Sequence, residues 1–198
     1  MEVEAKFSIP DEGTFQRLLE VTSLAGFSLE ERHVTDLHDR YLDTANGAFR
    51  ARGYACRIRR QDSQTLATLK GLGAVSGAIH RRTEYEVKLS EPLPPQDWPP
   101  TMARDLALRL GGDEPLLLLF EIHQSRHRRT LFDGHRAVAE LNVDRVRPSR
   151  GNDVAPTMLE LEVELLPDAS EQDLDRLTTE LQQVWELAPQ ARSKFQRG

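Results

Sequence analysis

Only one cysteine, Cys56, occurs in the 198 residues, so no internal disulfide can staple the fold. With no secretion signal, a cytoplasmic location is expected and Cys56 reads as an ordinary packed residue. No apolar run reaches the length needed to span a bilayer, and acids follow Met1 directly, which is not the form of a signal peptide. There is no excess of basic charge: the formal net charge of −6 argues against nucleic acid or an anionic membrane as partner. Internal repeats and low-complexity tracts are lacking, and no spacing of aromatic residues marks a pocket for reading a nucleobase. What remains is a chain of the length of one domain, residues 1–198, long enough for a real core.

What is present is charge placed inside strands. Hydrophobic residues make up 38% and charged residues 29%, a balance that leans polar for a domain of this size. In Glu2-Val3-Glu4-Ala5-Lys6 the alternation of a β-strand puts Glu2, Glu4 and Lys6 on one face, and Met1, Val3, Ala5 and Phe7 on the other. The same alternation recurs at Arg57/Arg59, at His80/Arg82/Glu84/Glu86/Lys88, at Arg126/Arg128 and at Glu160/Glu162/Glu164.

Along the chain, Pro10-Asp11 opens a helix carrying Phe15, Leu18 and Leu19, with Gly26 as the stop. Residues 27–43 read as one long or two short strands. A short turn or helical segment follows around Asn46-Gly47, then strands at 54–62 and 64–71, a loop with Gly71, Gly73 and Gly77, and a strand at 79–90. Five prolines make 91–100 a connector. The spacing predicts a helix over 101–119 with the leucines 116–119 buried. Strands at 120–131 and 136–146 flank the turn Asp133-Gly134, and a last strand covers 157–166. Ser170 then caps a helix with Leu174, Leu177, Leu181, Val184 and Trp185 in one stripe. This is an α+β pattern of about eight mostly antiparallel strands. Charged faces cannot stack against each other in a sandwich, because an unpaired buried charge costs on the order of several kcal/mol. Closure into a barrel with a wet, charged interior and helices outside resolves the conflict.

Such an interior calls for a guest of matching charge. Its bases are Lys6, Arg57, Arg59, Lys70, Arg82, Arg126, Arg128 and Lys194. They are mostly arginine, whose fork matches phosphate oxygens. The carboxylates Glu2, Glu4, Glu160, Glu162 and Glu164 would repel phosphate without a cation between, and hard oxygen ligands suit Mg2+ or Mn2+. Together they point to phosphoryl-transfer chemistry. Three other motifs carry less. His123 and His127 have the spacing of a helical zinc pair, but on a strand they lie roughly 13 Å apart. The glycine loop at 71–77 has no helix after it to meet a phosphate. Lys88, near its strand end, reads as solvated.

These residues resemble the CYTH proteins, or triphosphate tunnel metalloenzymes, from end to end. The resemblance rests on Glu2-Val3-Glu4-Ala5-Lys6, Tyr41-Leu42-Asp43-Thr44, Arg57-Ile58-Arg59, Thr68-Leu69-Lys70, Arg82-Thr83-Glu84-Tyr85-Glu86, Arg126/Arg128, Glu160-Leu161-Glu162-Val163-Glu164 and Ser193-Lys194. It implies an eight-stranded antiparallel β-tunnel with flanking helices. The segment from Gly77 to Pro92 is most similar to the bacterial inorganic triphosphatases. The resemblance therefore implies metal-dependent hydrolysis of inorganic triphosphate, with Glu2, Glu4, Lys6 and Lys70 catalytic and the eight bases holding the phosphates. Glu2, Glu4, Glu160, Glu162 and Glu164 would take the metal, with Arg82 and Glu84 paired in the wall. The family's aspartate on the strand after the hairpin falls on Asn142, and Asp144, on the same face, is the substitute. A class IV-type adenylyl cyclase, a thiamine triphosphatase and a non-catalytic polyphosphate-binding module stand as alternatives.

Overall fold

In the computed structural model, residues 2–198 are described; Met1, assigned above to the apolar face of the first strand, lies outside them. The chain opens with β1 (Glu2–Ser8), α1 (Glu12–Glu20), β2 (Ser23–Leu24), β3 (Phe27–Leu29) and β4 (His33–Asp43). Then come α2 (Ala48–Ala51), β5 (Tyr54–Gln61), β6 (Gln64–Gly71), β7 (Ala74–Ser76), β8 (Ile79–Arg82) and β9 (Glu84–Leu89). A 3-10 turn at Pro95–Asp97 precedes α3 (Met102–Gly111), β10 (Leu117–Asp133), β11 (Arg136–Arg150), β12 (Asp153–Val154) and β13 (Met158–Leu165). The chain finishes with α4 (Glu171–Gln183), β14 (Ala188–Pro189) and α5 (Lys194–Arg197).

Ten strands form one antiparallel path in the order β7-β8-β1-β13-β11-β10-β4-β5-β6-β9, with β2, β3, β12 and β14 attached to it. The expected closed eight-stranded barrel is not formed. The sheet curls through 253° about its axis and leaves its edges 13 Å apart, so the charged interior is an open trough. No ladder joins the ends of the path among the described residues. At one end the chain itself crosses from β8 to β9 through Thr83, whose carbonyl accepts from the Gly71 N–H at 2.9 Å. The expected single strand over 79–90 is thus two: β8 pairs with β1 and β9 with β6.

Helices cover the convex face, as the alternation requires. Ala5 and Phe7 of β1 and Leu161 and Val163 of β13 pack under Phe15 and Leu18 of α1 and Leu174, Leu177 and Leu181 of α4. On the other flank, Cys56, Ile58, Ala67 and Leu69 pack under Leu106 and Leu110 of α3. Burial and the nearby Asp43 charge push the Cys56 thiol up to about 12, as fits an inert packed cysteine. The helix ends carry their own signals. The Asp11 carboxylate accepts from the Thr14 N–H at 2.7 Å at the start of α1, and Ser170 and Asp173 form a reciprocal capping box on α4, worth about 1 kcal/mol. Val184, expected in the α4 stripe, is 72% exposed beyond the helix end.

The predicted helix over 101–119 ends early. α3 stops at Gly111, and Gly112 takes φ 61°, a left-handed stop. The leucines that follow begin β10, and Leu117 and Leu118 are exposed. At the far end of β10 the Asp133-Gly134 turn forms as expected, and the two long strands pair from Glu121/Ser149 to Asp133/Arg136.

Candidate active site

The concave face of the trough encloses a cavity of about 370 Å³. Strand parity explains its lining. In β1 the positions opposite the buried Ala5 and Phe7 send Glu2, Glu4 and Lys6 inward, and Glu4 and Lys6 are almost wholly buried. The in-register neighbours of Glu4 and Lys6 on β13 are Glu164 and Glu162. All eight bases named from the sequence line this one cavity: Lys6, Arg57, Arg59, Lys70, Arg82, Arg126, Arg128 and Lys194. They meet Glu2, Glu4, Glu84, Glu86, Glu140, Glu162 and Glu164 on the same lining.

Each base leans on a carboxylate. Lys6 Nζ lies 3.1 Å from Glu4 and also donates to Glu162. Lys70 bridges Glu2 at 3.1 Å and Glu84 at 2.8 Å. Arg82 donates to Glu2 at 2.8 Å and to Glu4; it does not pair with Glu84, because the break at Thr83 sends the two side chains to different strands' partners. Burial works against ionisation of Glu2, but Lys70 and Arg82 outweigh it and hold the carboxyl well below its usual range. Arg128 is the most loosely held: its side chain is 45% exposed and its nearest acid, Glu140, is 3.7 Å away.

Two of the predicted metal ligands do not line the cavity. Asp144, wholly buried, accepts from Arg126 at 2.9 and 2.6 Å and from Lys194 at 2.8 Å. Glu160 faces Arg197 and lies 3.5 Å from Lys194. Both serve here as anchors for cations. Asn142, at the position where the resemblance places an aspartate, is buried beside them and donates to Glu140 at 3.0 Å. Glu164 stands in register between Glu4 on β1 and Glu140 on β11 and makes no ion pair among the described residues. Its burial and the charge of Glu2 push its carboxyl up to about 7.

Asp39 is the residue that the sequence reading missed. Fully buried on β4, it accepts both arms of the Arg59 fork at 2.7 Å and lies 3.8 Å from Arg57. The available signal was its parity, an acid at the inward position between Leu37 and Tyr41. Burial opposes its charge, and Arg59 and Arg57 overcome it. Arg57 keeps a buried Nε without a hydrogen-bond partner. Asp43, by contrast, is structural: it accepts from the N–H groups of Thr44, Phe49 and Arg50 and so fixes the start of α2. The strand reading of His123 and His127 holds; His123 stacks on His38 at 4.2 Å while His127 meets the edge of Phe15. Among the described residues no three His, Cys, Asp or Glu side chains converge as a ready-made metal group, and no helix is long and apolar enough to cross a membrane.

The family model of the CYTH domain matches residues 1–198. The chain belongs to the CYTH family. Solved structures of the same fold include a proposed adenylyl cyclase from Hippeastrum described as having a dominant triphosphatase activity. It is 20% identical, with a TM-score of 0.67 over 98% of this chain and 93% of that one. A proposed adenylate cyclase from Bacillus halodurans is 18% identical, with a TM-score of 0.63 over 100% of this chain and 96% of that one. The Mimivirus capping enzyme triphosphatase is 14% identical, with a TM-score of 0.51 over 94% of this chain and 89% of that one. At these identities the likeness to these structures is one of fold. The proteins that share this fold are described as triphosphatases and as adenylyl cyclases.

Proposed function

We propose that the trough binds a linear triphosphate and, with Mg2+ or Mn2+, hydrolyses it to diphosphate and phosphate. The observation that carries this reading is the convergence of eight bases on one cavity whose remaining charged groups are all carboxylates. Arg57, with an unpartnered buried Nε, and the loosely held Arg128 are the guanidinium groups best placed to take phosphate oxygens. Lys6, Lys70 and Arg82 exchange their carboxylate partners for phosphate oxygens. Arg126 and Lys194, anchored by Asp144, neutralise charge that builds on transferred and leaving oxygens.

That exchange strips Glu2 and Glu4 of their cations, leaves Glu162 with Arg126 at 2.6 Å and Lys194 at 3.0 Å, and Glu164 has none to lose. Glu2, Glu4 and Glu164 form an all-oxygen set short of positive charge, which fits a hard divalent ion. When bound, such an ion supplies charge neutralisation of the phosphates and a water acidic enough to attack. Before phosphate binds, Lys6 and Arg82, flanking Glu4, hold that carboxylate in place. Asp39 keeps the Arg59 fork aimed along the wall.

The dominant triphosphatase activity described for the Hippeastrum protein and the name of the Mimivirus one favour hydrolysis over cyclisation on this fold. A substrate panel tests the reading. Phosphate release is expected from inorganic triphosphate with a higher kcat/KM than from ATP or thiamine triphosphate. Cyclic AMP and diphosphate as the main products from ATP would contradict it.

A further inference from the structure

The outer wall of the trough carries a histidine pair that the phosphate chemistry does not use. His38 on β4 and His123 on β10 stand in register on neighbouring strands, and strand parity turns both away from the cavity. Their rings stack at 4.2 Å with 11° between the planes. Glu121, two residues before His123 on the same face, brings its Oε1 to 3.1 Å from His38 Nε2. The helices leave this stretch to solvent: His123 and Asp36 are exposed, and His38 and Glu121 are half-buried. Spacing along β10 keeps His123 and His127 apart, but the sheet supplies His123 with a different histidine from the next strand.

Two imidazoles and a carboxylate in one patch are the donor set of a borderline transition ion, not of Mg2+. The 3.1 Å between His38 Nε2 and Glu121 Oε1 is close to the roughly 3.3 Å that separates two ligands of a tetrahedral zinc ion. His123 joins them only by leaving the stack, because parallel rings do not aim their nitrogens at one point. Its side chain is exposed, so it is free to turn. Positive charge is also near. Arg40 lies 3.5 Å from Glu121, while Arg60 on β5 and Arg147 on β11 are in register with His38 and His123. Arg60 and Arg147 are long and exposed, where salt screens them, and Asp36 adds an acid to the same face. We propose that His38, His123 and Glu121 form a transition-metal site on the back of the trough, with water in the remaining positions. It takes an ion such as Zn2+ or Cu2+, rejects Mg2+, and ties β4 to β10 behind Asp39. The site stands whether or not the trough hydrolyses triphosphate.

The test uses the full, untagged chain in excess Mg2+, with Zn2+ and then Cu2+ as probes. Calorimetric titration should show a single Zn2+ bound per chain that Mg2+ does not displace, and the melting temperature should rise with added Zn2+. Electron paramagnetic resonance of the Cu2+ form should show coupling to two imidazole nitrogens. His38→Ala and His123→Ala should each weaken Zn2+ binding by about 10-fold or more and abolish the Zn2+-dependent rise in melting temperature. Should one of them fail to fold, Glu121→Gln, with the same loss of affinity expected, and the Cu2+ spectrum of the unaltered protein decide. Zn2+ binding that excess Mg2+ abolishes would overturn the site, as would a Cu2+ spectrum without nitrogen coupling. Full affinity in the folded alanine variants would do the same.

Discussion

At the scale of single residues, the site works because buried charges hold each other in place. Asp39 is the clearest case. Its carboxyl titrates below the ordinary 3.8 in the folded protein, so the unfolded chain takes up the proton more readily. The stability it contributes is complete above about pH 4 and is lost as the pH falls through the lower folded value. Thermal melts across pH 2–7 should therefore show a steep acid limb, and Asp39→Asn should both lower the melting temperature at neutral pH and flatten that limb. An acid limb of unchanged slope in Asp39→Asn would exclude it as the group responsible. Arg57 and Glu4 separate binding from chemistry. Arg57→Ala removes a phosphate contact present before and during reaction, so kcat/KM should fall by about 100-fold with a raised KM. Glu4→Gln keeps the shape and removes a charge from the metal set, so kcat should fall more than substrate affinity. Normal turnover in Glu4→Gln with metal still bound would refute its assignment.

At the scale of elements, the inward residues of β1, β5 and β13 could be read from alternation because each of these strands has one apolar face to bury. The break at Thr83 could not. Parity runs unbroken from His80 through Arg82 to Glu84 and Glu86, while the hydrogen-bond partner changes from β1 to β6; a period of two records which face a side chain takes, not which strand lies beside it. The leucines at 116–119 misled for a related reason. A run of one apolar residue type has no period of its own, and Gly111-Gly112, the real helix stop, was the stronger signal. Gly111 is also needed for close approach, since a Cβ there would meet the Phe49 ring at 2.8 Å. Gly73 shows what the strand joint demands: it takes φ 54°, and an added Cβ would overlap the Arg81 carbonyl. Gly73→Ala should cost about 1–3 kcal/mol in urea denaturation and loosen Arg82 from Glu2. An unchanged midpoint would show that this hairpin yields without cost.

At the scale of the whole molecule, charge inside the strands implied a wet, charged interior and helices outside; the charged cavity and the outer helices are present. Closure was the part that charge could not decide. A concave charged face needs water and a guest, and an open trough satisfies that need as well as a closed barrel does. The interior pairs its bases with acids, so a phosphate that takes Lys6, Lys70 and Arg82 leaves Glu2 and Glu4 in need of a cation. Triphosphate and divalent metal are for that reason expected to bind together. The most direct measurement is a phosphorus NMR time course of inorganic triphosphate incubated with the protein and Mg2+. The account predicts diphosphate and phosphate appearing in equal amounts, with the reaction stopped by chelator and restored by excess Mg2+ or Mn2+. Persistence of intact triphosphate with metal-loaded, folded protein, or full turnover in excess chelator, would contradict it.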